Sequence, residues 1–563
     1  MTPPTRPPDY WARRRTAAHR EFRAARDLLL ELRGNRAAAA ARFRWPAAEH
    51  FNWALEWFDV LADEQPGSAL ELLAPPRPDG RTEVAERVGF AELSARSDTL
   101  AVRLAELGVA RGDRVLLLLD TRVELWESLL ACLKLGAVVV PCYQDLTPEE
   151  AADRLRRGRI SHLLCTAGAA ATVDGATRSG PGAVPGLRIA LDDPPAGWLR
   201  YPDTRTDPRP FLPGGPTGAA DPAFCYFTSG TTALPKLVVH THASYPVGHL
   251  SSLYWQGVRP GDRHLNLSEP GWAKHSWSSF FVPWTAGATV VALPPGGVPP
   301  RLLPRIAADH ALDSLCAPPS TWRAMVPHLA SAPGVRLREA TAAGECLDPG
   351  TGDAVRAAWA VRVRDGYGQT EATALIGRAP GGPDPLSPLG HPLPGYRVVL
   401  VDPDTGEAGD AGEVCLDLTE RPAGLMAGYA DDPERTEAAL GGGRYRTGDT
   451  GERCVDGSIR LLGRRDEVFK SFGHRVSPPE IEAVLRRCPG IADVAVVPRP
   501  HPRGGLAPHA VAVPAGEPGP DLARELLAWA AARLPGLLVP RGVDLVRELP
   551  RTRSGKVRRA ELG

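Results

Sequence analysis

Between residues 89 and 142 the chain alternates two textures that few architectures accommodate. GFAELSARSDTLAVRLAELGV (89–109) places its apolar residues at a period near 3.6, the pattern of a helix with one buried face. RGDRVLLLLD (111–120) then gives a turn and a wholly apolar run. A second helical stretch over 122–135 leads to AVVVPC (137–142), another apolar run. Strands apolar on both faces need cover on both sides, and strands joined through a helix run parallel. The rhythm resumes at 223 and continues through ATVVAL (288–293) and LDSLCAP (312–318). An α/β fold with parallel or mixed sheets flanked by helices is the expectation.

With 563 residues the chain is too long for one core. Residues 1–50 read as an N-terminal helical extension, Arg- and Ala-rich, with Phe22, Leu28, Leu29 and Leu32 at helical spacing; it either packs on the body or serves a homodimer contact. FNWALEWFDVLA (51–62) reads as an amphipathic aromatic helix docked on that body. Residues 166–222, dense in Gly, Pro and Ala, read as surface loops with one short strand, LRIAL (187–191). From about 390 short alternating strands between Gly- and Asp-rich turns suggest a small β-barrel-like section. A large domain of 51–463 is followed by a small mobile α+β domain of 464–563. The latter holds a helix opened by Ser477 with Glu480 three residues on (a capping box, with Pro478 in the first turn), a strand at 492–498, a helix at 521–533 and a basic tail.

Composition excludes several classes. Lys+Arg and Asp+Glu both number 66, so the basic bias of a nucleic-acid binder is missing. The nine cysteines are scattered singly, which argues against a disulfide framework or zinc site and for a reducing, cytoplasmic setting. The longest apolar stretch, 127–143, is broken by Lys134 and Pro141, so no membrane span is expected, and the N-terminus shows no signal-peptide core. Only five lysines occur, Lys134, Lys236, Lys274, Lys470 and Lys556, in a chain that otherwise uses Arg. Such lysines mark positions to inspect for a compact ammonium.

TSGTTALPK (228–236) sits between two strand-like runs, AFCYF and LVVH. It lacks the Walker A pattern, yet small hydroxyl residues around Gly230 let backbone N–H groups approach phosphate oxygens, and Lys236 adds a point charge. In GYGQTEA (366–372) an aromatic able to stack on adenine precedes Thr370, whose hydroxyl can reach a phosphate, and Glu371, whose carboxylate can hold Mg²⁺. RYRTGD (444–449) ends in Asp449, a carboxylate suited to two ribose hydroxyls. GRRDEVFKSFGHRVSPPEIE (463–482) packs charge and Gly before a helix, and PRTRSGKVRR (550–559) reads as a basic tail. Each has an ordinary reading as turn, core aromatic or solvated charge run.

In this order and spacing the five segments resemble the adenylate-forming superfamily: acyl-CoA synthetases, peptide-synthetase adenylation domains and firefly-type luciferases. FNWALEWFDV, NLSEPGWAKHSWSSFFVPWTAGATVV (266–291) and YGQTEATALIG are similar to the medium-chain acyl-CoA synthetase branch. The resemblance implies that a carboxylic acid, medium-chain fatty or aryl, reacts with ATP and Mg²⁺ to an acyl-adenylate and pyrophosphate, and that the acyl group passes to coenzyme A.

It implies roles residue by residue. Thr228, Ser229, Gly230, Thr231, Thr232 and Lys236 cover the β- and γ-phosphates. Gly344, Glu345, Asp365, Gly366, Tyr367, Gly368 and Gln369 surround the adenine and its nucleotide. Thr370 meets the α-phosphate, Glu371 the Mg²⁺, Asp449 the ribose, with Arg464 beside it and Arg475 on the AMP phosphate. Lys556 is the catalytic lysine between carboxylate and α-phosphate, and Asp466 the hinge about which the small domain turns. Phe472, Gly473 and His474 line the pantetheine tunnel, and Arg503 and Arg541 contact coenzyme A. Trp272, Lys274 and Trp277 fall in the acyl-pocket region, with Trp284 and Trp322 as further candidates. Ala233 stands where the family usually has Gly, and Phe472 where a small residue is common. Two other readings stay open: loading of a carrier protein's phosphopantetheine, and a non-catalytic acyl or nucleotide sensor.

Overall fold

A computed structural model of the chain describes residues 14–178, 185–228, 235–382, 387, 389–471, 474–501, 505–552 and 556–563. The alternation becomes two large mixed sheets. In the eight-stranded sheet Arg114–Leu118 lies parallel to both Val138–Pro141 and His162–Cys165, and Leu187–Ala190 extends the series. On the other side Val138–Pro141 neighbours Pro222–Thr228, which pairs antiparallel with Lys236–Thr241. The nine-stranded sheet has a parallel centre made of Thr289–Ala292, Arg263–Asn266, Ser314–Ala317, Glu339–Ala343 and Val363–Gln369. Antiparallel strands close both of its edges. The helix Val123–Leu135 ends because Gly136 takes φ +73°, a left-handed cap that a residue with a Cβ adopts at a cost.

The helix over 51–62 is more buried than an amphipathic one. Its first turn is a π-turn, Ala54–Phe58, continued as Asp59–Glu64, and Trp53, Trp57, Phe58 and Val60 are all buried. The reason is the N-terminal extension, which packs on the body. From its helix Ala17–Glu31, Phe22 meets Trp57 edge-on at 5.0 Å, and Arg26 lies over the same indole at 4.8 Å. Farther along, Arg33 ion-pairs with Glu339 and Trp45 donates to the Gly395 carbonyl at 2.9 Å.

Two local expectations are corrected. Residues 166–222 hold a helix, Ala167–Arg178, where loops were expected. Its buried residues, Ala169, Ala170, Val173 and Ala176, keep helical spacing, but most are alanines and give a weak periodic signal. The capping box at Ser477 does not form: the helix Pro478–Leu485 starts with Pro at its first turn, and the Ser477 hydroxyl donates to the Leu462 carbonyl instead. That bond ties the small unit's first helix to the last strand of the preceding sheet.

The β-rich section is a five-stranded antiparallel sheet that includes Val398–Val401, Ala411–Asp417, Arg444–Arg453 and Ile459–Arg464. Beyond it the small α+β unit has its own core. Ile491–His501 pairs with Gly505–Pro514, and the helices Pro478–Leu485 and Leu522–Ala531 bury Ile481, Leu485 and Leu526 against Val494 and Val496. The carboxyl ends of parallel strands from both large sheets open toward this unit, the place where α/β sheets bind ligands.

Candidate active site

A cavity of about 1730 Å³ lies between the large sheets, the five-stranded sheet and the small unit. Residues from separate motifs meet on its wall: Thr228, Lys236, Gly344, Glu345, Asp365 to Glu371, Asp449, Arg464, Asp466 and Lys556. The hairpin register explains the first two. Thr228 and Lys236 are cross-strand partners at the end of the pair, and both line the cavity. Ser229, Gly230, Thr231, Thr232 and Ala233 lie outside the described residues.

Asp449 is the electrostatic centre of one wall. Its Oδ2 accepts from the Tyr367 hydroxyl at 2.6 Å and from Gln369 Nε2 at 2.6 Å. Arg464, its partner in the antiparallel register, holds Nη1 3.7 Å from Oδ1 and donates to the Thr447 carbonyl at 3.0 Å. Burial raises the Asp449 pKa, and the Arg464 charge opposes that rise. Arg464 Nε also reaches Asp466 at 3.3 Å, linking this wall to the start of the small unit.

Glu371 forms a second centre. Its Oε1 accepts from the Tyr429 hydroxyl at 2.8 Å, and the Lys236 ammonium stands 3.9 Å away and over the Tyr429 ring. Beside it, the Thr370 carbonyl is hydrogen-bonded to His240 Nε2 at 2.7 Å. Burial lowers the His240 pKa to about 4, so that ring is neutral near neutrality and its Nε2–H donates. Asp365 lines the cavity while its Oδ2 accepts from the Leu347 amide at 3.1 Å, which pins the loop carrying Glu345. Desolvation pushes the Asp365 carboxyl up to about 7.

The wall opposite is built by close approach. Gly344 has φ +106°, and a Cβ there would sit 3.4 Å from the Trp272 ring and 3.5 Å from Lys274 Nζ. Trp272 and Ala273 line the cavity; Lys274 is buried behind them. Trp277 is outside the lining and stacks on His249, ring centres 5.9 Å apart. Trp284 and Trp322 are core residues, donating to the Ala69 and Thr341 carbonyls.

Lys556 is exposed, on the cavity lining, and held by a local turn: its amide donates to Thr552 Oγ1 at 3.1 Å while its carbonyl accepts from the Thr552 amide at 2.7 Å. Its charge is felt at Asp449, whose carboxylate form it favours. Arg559 anchors this tail, pairing with Glu482 at 2.9 Å and Glu467 at 2.8 Å. Of the expected coenzyme A contacts, Arg541 is exposed outside the lining and donates to the Gly536 carbonyl at 2.9 Å. Phe472, Gly473 and Arg503 lie outside the described residues, and for His474 and Arg475 only the backbone strand His474–Val476 is described. Sequence reading missed Tyr429 and the Arg559 anchor. Arg559 ends the 550–559 segment, which the sequence offered only as a basic tail, and Tyr429, outside every quoted motif, reaches Glu371 because Gly428–Tyr429 pairs with the strand that starts at Lys236.

A cavity of this kind, with a carboxylate network on one wall and a lysine-bearing tail over it, defines a nucleotide-activating enzyme of the α/β class. The AMP-binding enzyme family matches residues 74–430 and the AMP-binding enzyme C-terminal domain matches residues 480–556, so the chain belongs to this family. 4-Hydroxybutyrate–CoA ligase 1 of Metallosphaera sedula is 34% identical over 519 residues, covering 91% of this chain and 90% of that protein. The mitochondrial acyl-coenzyme A synthetase ACSM3 of Mus musculus is 31% identical over 539 residues, 92% and 91% of the two chains. The crystal structure of the anthranilate CoA ligase AuaEII with anthranoyl-AMP superposes with TM-score 0.78 at 25% identity, covering 92% of this chain and 97% of that one. The chain is an AMP-forming acid–thiol ligase, an acyl-CoA synthetase.

Proposed function

We propose that the enzyme activates a medium-chain fatty or aryl carboxylic acid in this cavity. The observation that carries the reading is the convergence of Lys236, Thr370, Glu371, Asp449 and Lys556 on one lining, contributed by three sheets and the C-terminal tail. By their names, one of the proteins above acts on anthranilate, an aryl acid, one on 4-hydroxybutyrate, and one is an acyl-coenzyme A synthetase. Asp449 takes the ribose hydroxyls, Tyr367 flanks the adenine, and the 228–236 segment with Lys236 takes the terminal phosphates. The acid's carboxylate oxygen attacks the α-phosphorus, the bond to the β-phosphate oxygen breaks and pyrophosphate leaves. Thr370 and Lys556 stabilise the charge that gathers on the α-phosphate oxygens during attack. Coenzyme A thiolate then attacks the acyl carbonyl, and AMP departs with the electrons of the broken C–O bond.

Glu371 fits a Mg²⁺ carried on ATP. Among the described residues no three His, Cys, Asp or Glu side chains cluster as a metal cage. A single carboxylate plus phosphate oxygens is the usual Mg²⁺ arrangement in nucleotide sites. When bound, the ion neutralises phosphate charge. The large and small units divide at 463/464, with Asp466 as hinge: the small unit turns after adenylation and brings the 472–474 segment, with Arg475, to the thiol path. Arg503 and Arg541 take coenzyme A in that second arrangement. All nine cysteines are free thiols, which supports a reducing, cytoplasmic setting.

The experiment separates the two half-reactions. Lys556→Ala lowers carboxylate-dependent ATP–pyrophosphate exchange by about 10²–10³-fold and leaves thioester formation from supplied acyl-AMP within a few-fold of the parent. Equal loss in both half-reactions, or none in either, overturns the assignment. Exchange that never responds to coenzyme A moves the acceptor to a carrier protein.

A further inference from the structure

Among the described residues two lysines are almost completely buried, and they are compensated very differently. Lys134 is flanked by two carboxylates, at 2.8 and 2.7 Å. Lys274, 3% exposed, has no carboxylate within ion-pair distance among the described residues: its hydrogen-bond acceptor there is the Ala343 carbonyl, the Trp272 indole lies 4.5 Å from Nζ to ring centre, and Glu345 and Asp365 act on its charge only from farther off. An ammonium has three N–H donors, so two are left over. Burying such a group without a counter-ion is costly, and desolvation brings its pKa down to about 8.

The spare donors adjoin the cavity. Gly344, Trp272 and Ala273 line it, and Nζ stands 3.5 Å from where a Gly344 Cβ would be. With glycine at 344 no Cβ stands between the ammonium and the cavity on that side. A second incompletely satisfied donor closes the same end. Tyr226 lines the cavity, 1% exposed, and its hydroxyl has no well-formed hydrogen bond; the hydroxyls of Ser276 and Tyr245 are its neighbours. Tyr245 in turn donates to the Ala273 carbonyl at 3.1 Å, placing this aromatic pair beside Lys274. Buried donors without acceptors penalise a purely apolar ligand and reward one that brings an oxygen.

We propose that Lys274 is a specificity-determining residue: its ammonium donates to an oxygen on the acyl chain, so the enzyme prefers a hydroxy- or oxo-substituted carboxylic acid over the unsubstituted acid of equal length. The proposal rests on the acyl-CoA ligase reading of the cavity. A neutral oxygen is favoured over a second carboxylate because Glu345 and Asp365 already set negative charge toward Lys274, and another buried anion would meet both.

The test is a matched panel assayed by AMP release with coenzyme A: butanoate against 3- and 4-hydroxybutanoate, pentanoate against 4-oxopentanoate, benzoate against its hydroxybenzoates, and succinate. The parent enzyme favours the oxygenated member of at least one pair by about tenfold or more in kcat/KM. Lys274→Met brings that ratio near one by a loss that falls mainly on the oxygenated member; Lys274→Gln, which keeps an N–H donor, retains part of the preference. A thermal melt accompanies each variant, and the parent panel stands even if a variant misfolds. Activity without preference for any oxygenated acid, preference for succinate, or a Lys274→Met loss falling equally on both members of a pair overturns the proposal. Silence with every acid refutes the ligase reading itself, and this proposal with it.

Discussion

Lys134→Met tests how the body is held together. Lys134 lies in the helix Val123–Leu135 and reaches Asp59 at 2.8 Å, Asp98 at 2.7 Å and the Ser94 carbonyl at 3.1 Å, so one ammonium joins three helices. All three charged side chains are at most 1% exposed, and Arg14 of the N-terminal extension adds a second cation on Asp59 at 3.1 Å. Methionine nearly conserves volume, so the change removes the charge and little packing. Removing one partner of a buried ion cluster costs about 3–5 kcal/mol, because buried carboxylates lose their counter-charge. A unit of about 400 residues unfolds with an entropy of roughly 0.8 kcal/mol/K, so the midpoint falls by roughly 5 °C. Differential scanning fluorimetry measures it. Lys134→Met with Asp98→Asn recovers part of the loss, since one uncompensated charge goes. Specific activity at 25 °C stays within twofold, as none of these residues lines the cavity. A midpoint shift under 1 °C, or a double variant less stable than the single, refutes the reasoning.

Asp449→Ala removes the acceptor shared by Tyr367 and Gln369; on the ribose contact proposed above, the loss of charged hydrogen bonds raises the KM for ATP by about 10–100-fold, read by initial rates at saturating acid. Gly366→Ala places a Cβ 2.3 Å from Trp255 Cζ2, in a ring fixed by its hydrogen bond to the Asp365 carbonyl; overpacking of about 1–3 kcal/mol follows, seen as a lower melting midpoint and a shifted tryptophan emission. His264, hydrogen-bonded to Ser314 and Ser278, has its pKa lowered to about 4 by burial. It is neutral in the fold and protonates in the unfolded chain below about 6.5, so its stabilisation is complete above that pH and lost as pH falls toward 4. Between pH 7 and pH 5 the parent loses about 2 kcal/mol relative to His264→Gln; equal pH dependence of the two melting curves refutes the assignment.

The α/β character and the nucleotide motifs were legible in the sequence because they are local. An apolar run of strand length between helical periods means a covered strand wherever it sits, and GYGQTEA or RYRTGD keeps its backbone chemistry within a few residues. The scarcity of lysine pointed at five positions but could not sort them. Lys236 and Lys556 line the cavity, whereas Lys134 is a core cross-link and Lys274 stands behind the cavity wall. What a buried ammonium does depends on which carboxylates approach it, and Asp59 and Asp98 come from distant segments. The same holds for Tyr429 on Glu371 and Arg559 across Glu467 and Glu482: their sequence separations of 58, 92 and 77 residues carry no periodic signal. The helix over 51–62 has the pattern of a one-sided helix, and it is buried all round only because the extension covers its other face. Sequence alone determined the element types where the apolar period is strong, though not the Ala-rich helix Ala167–Arg178, and it determined the groups available for chemistry, since propensity and motif act over a few residues. Tertiary structure decided which charges are paired and which face the cavity, because desolvation and Coulomb energies depend on distances that only chain packing sets.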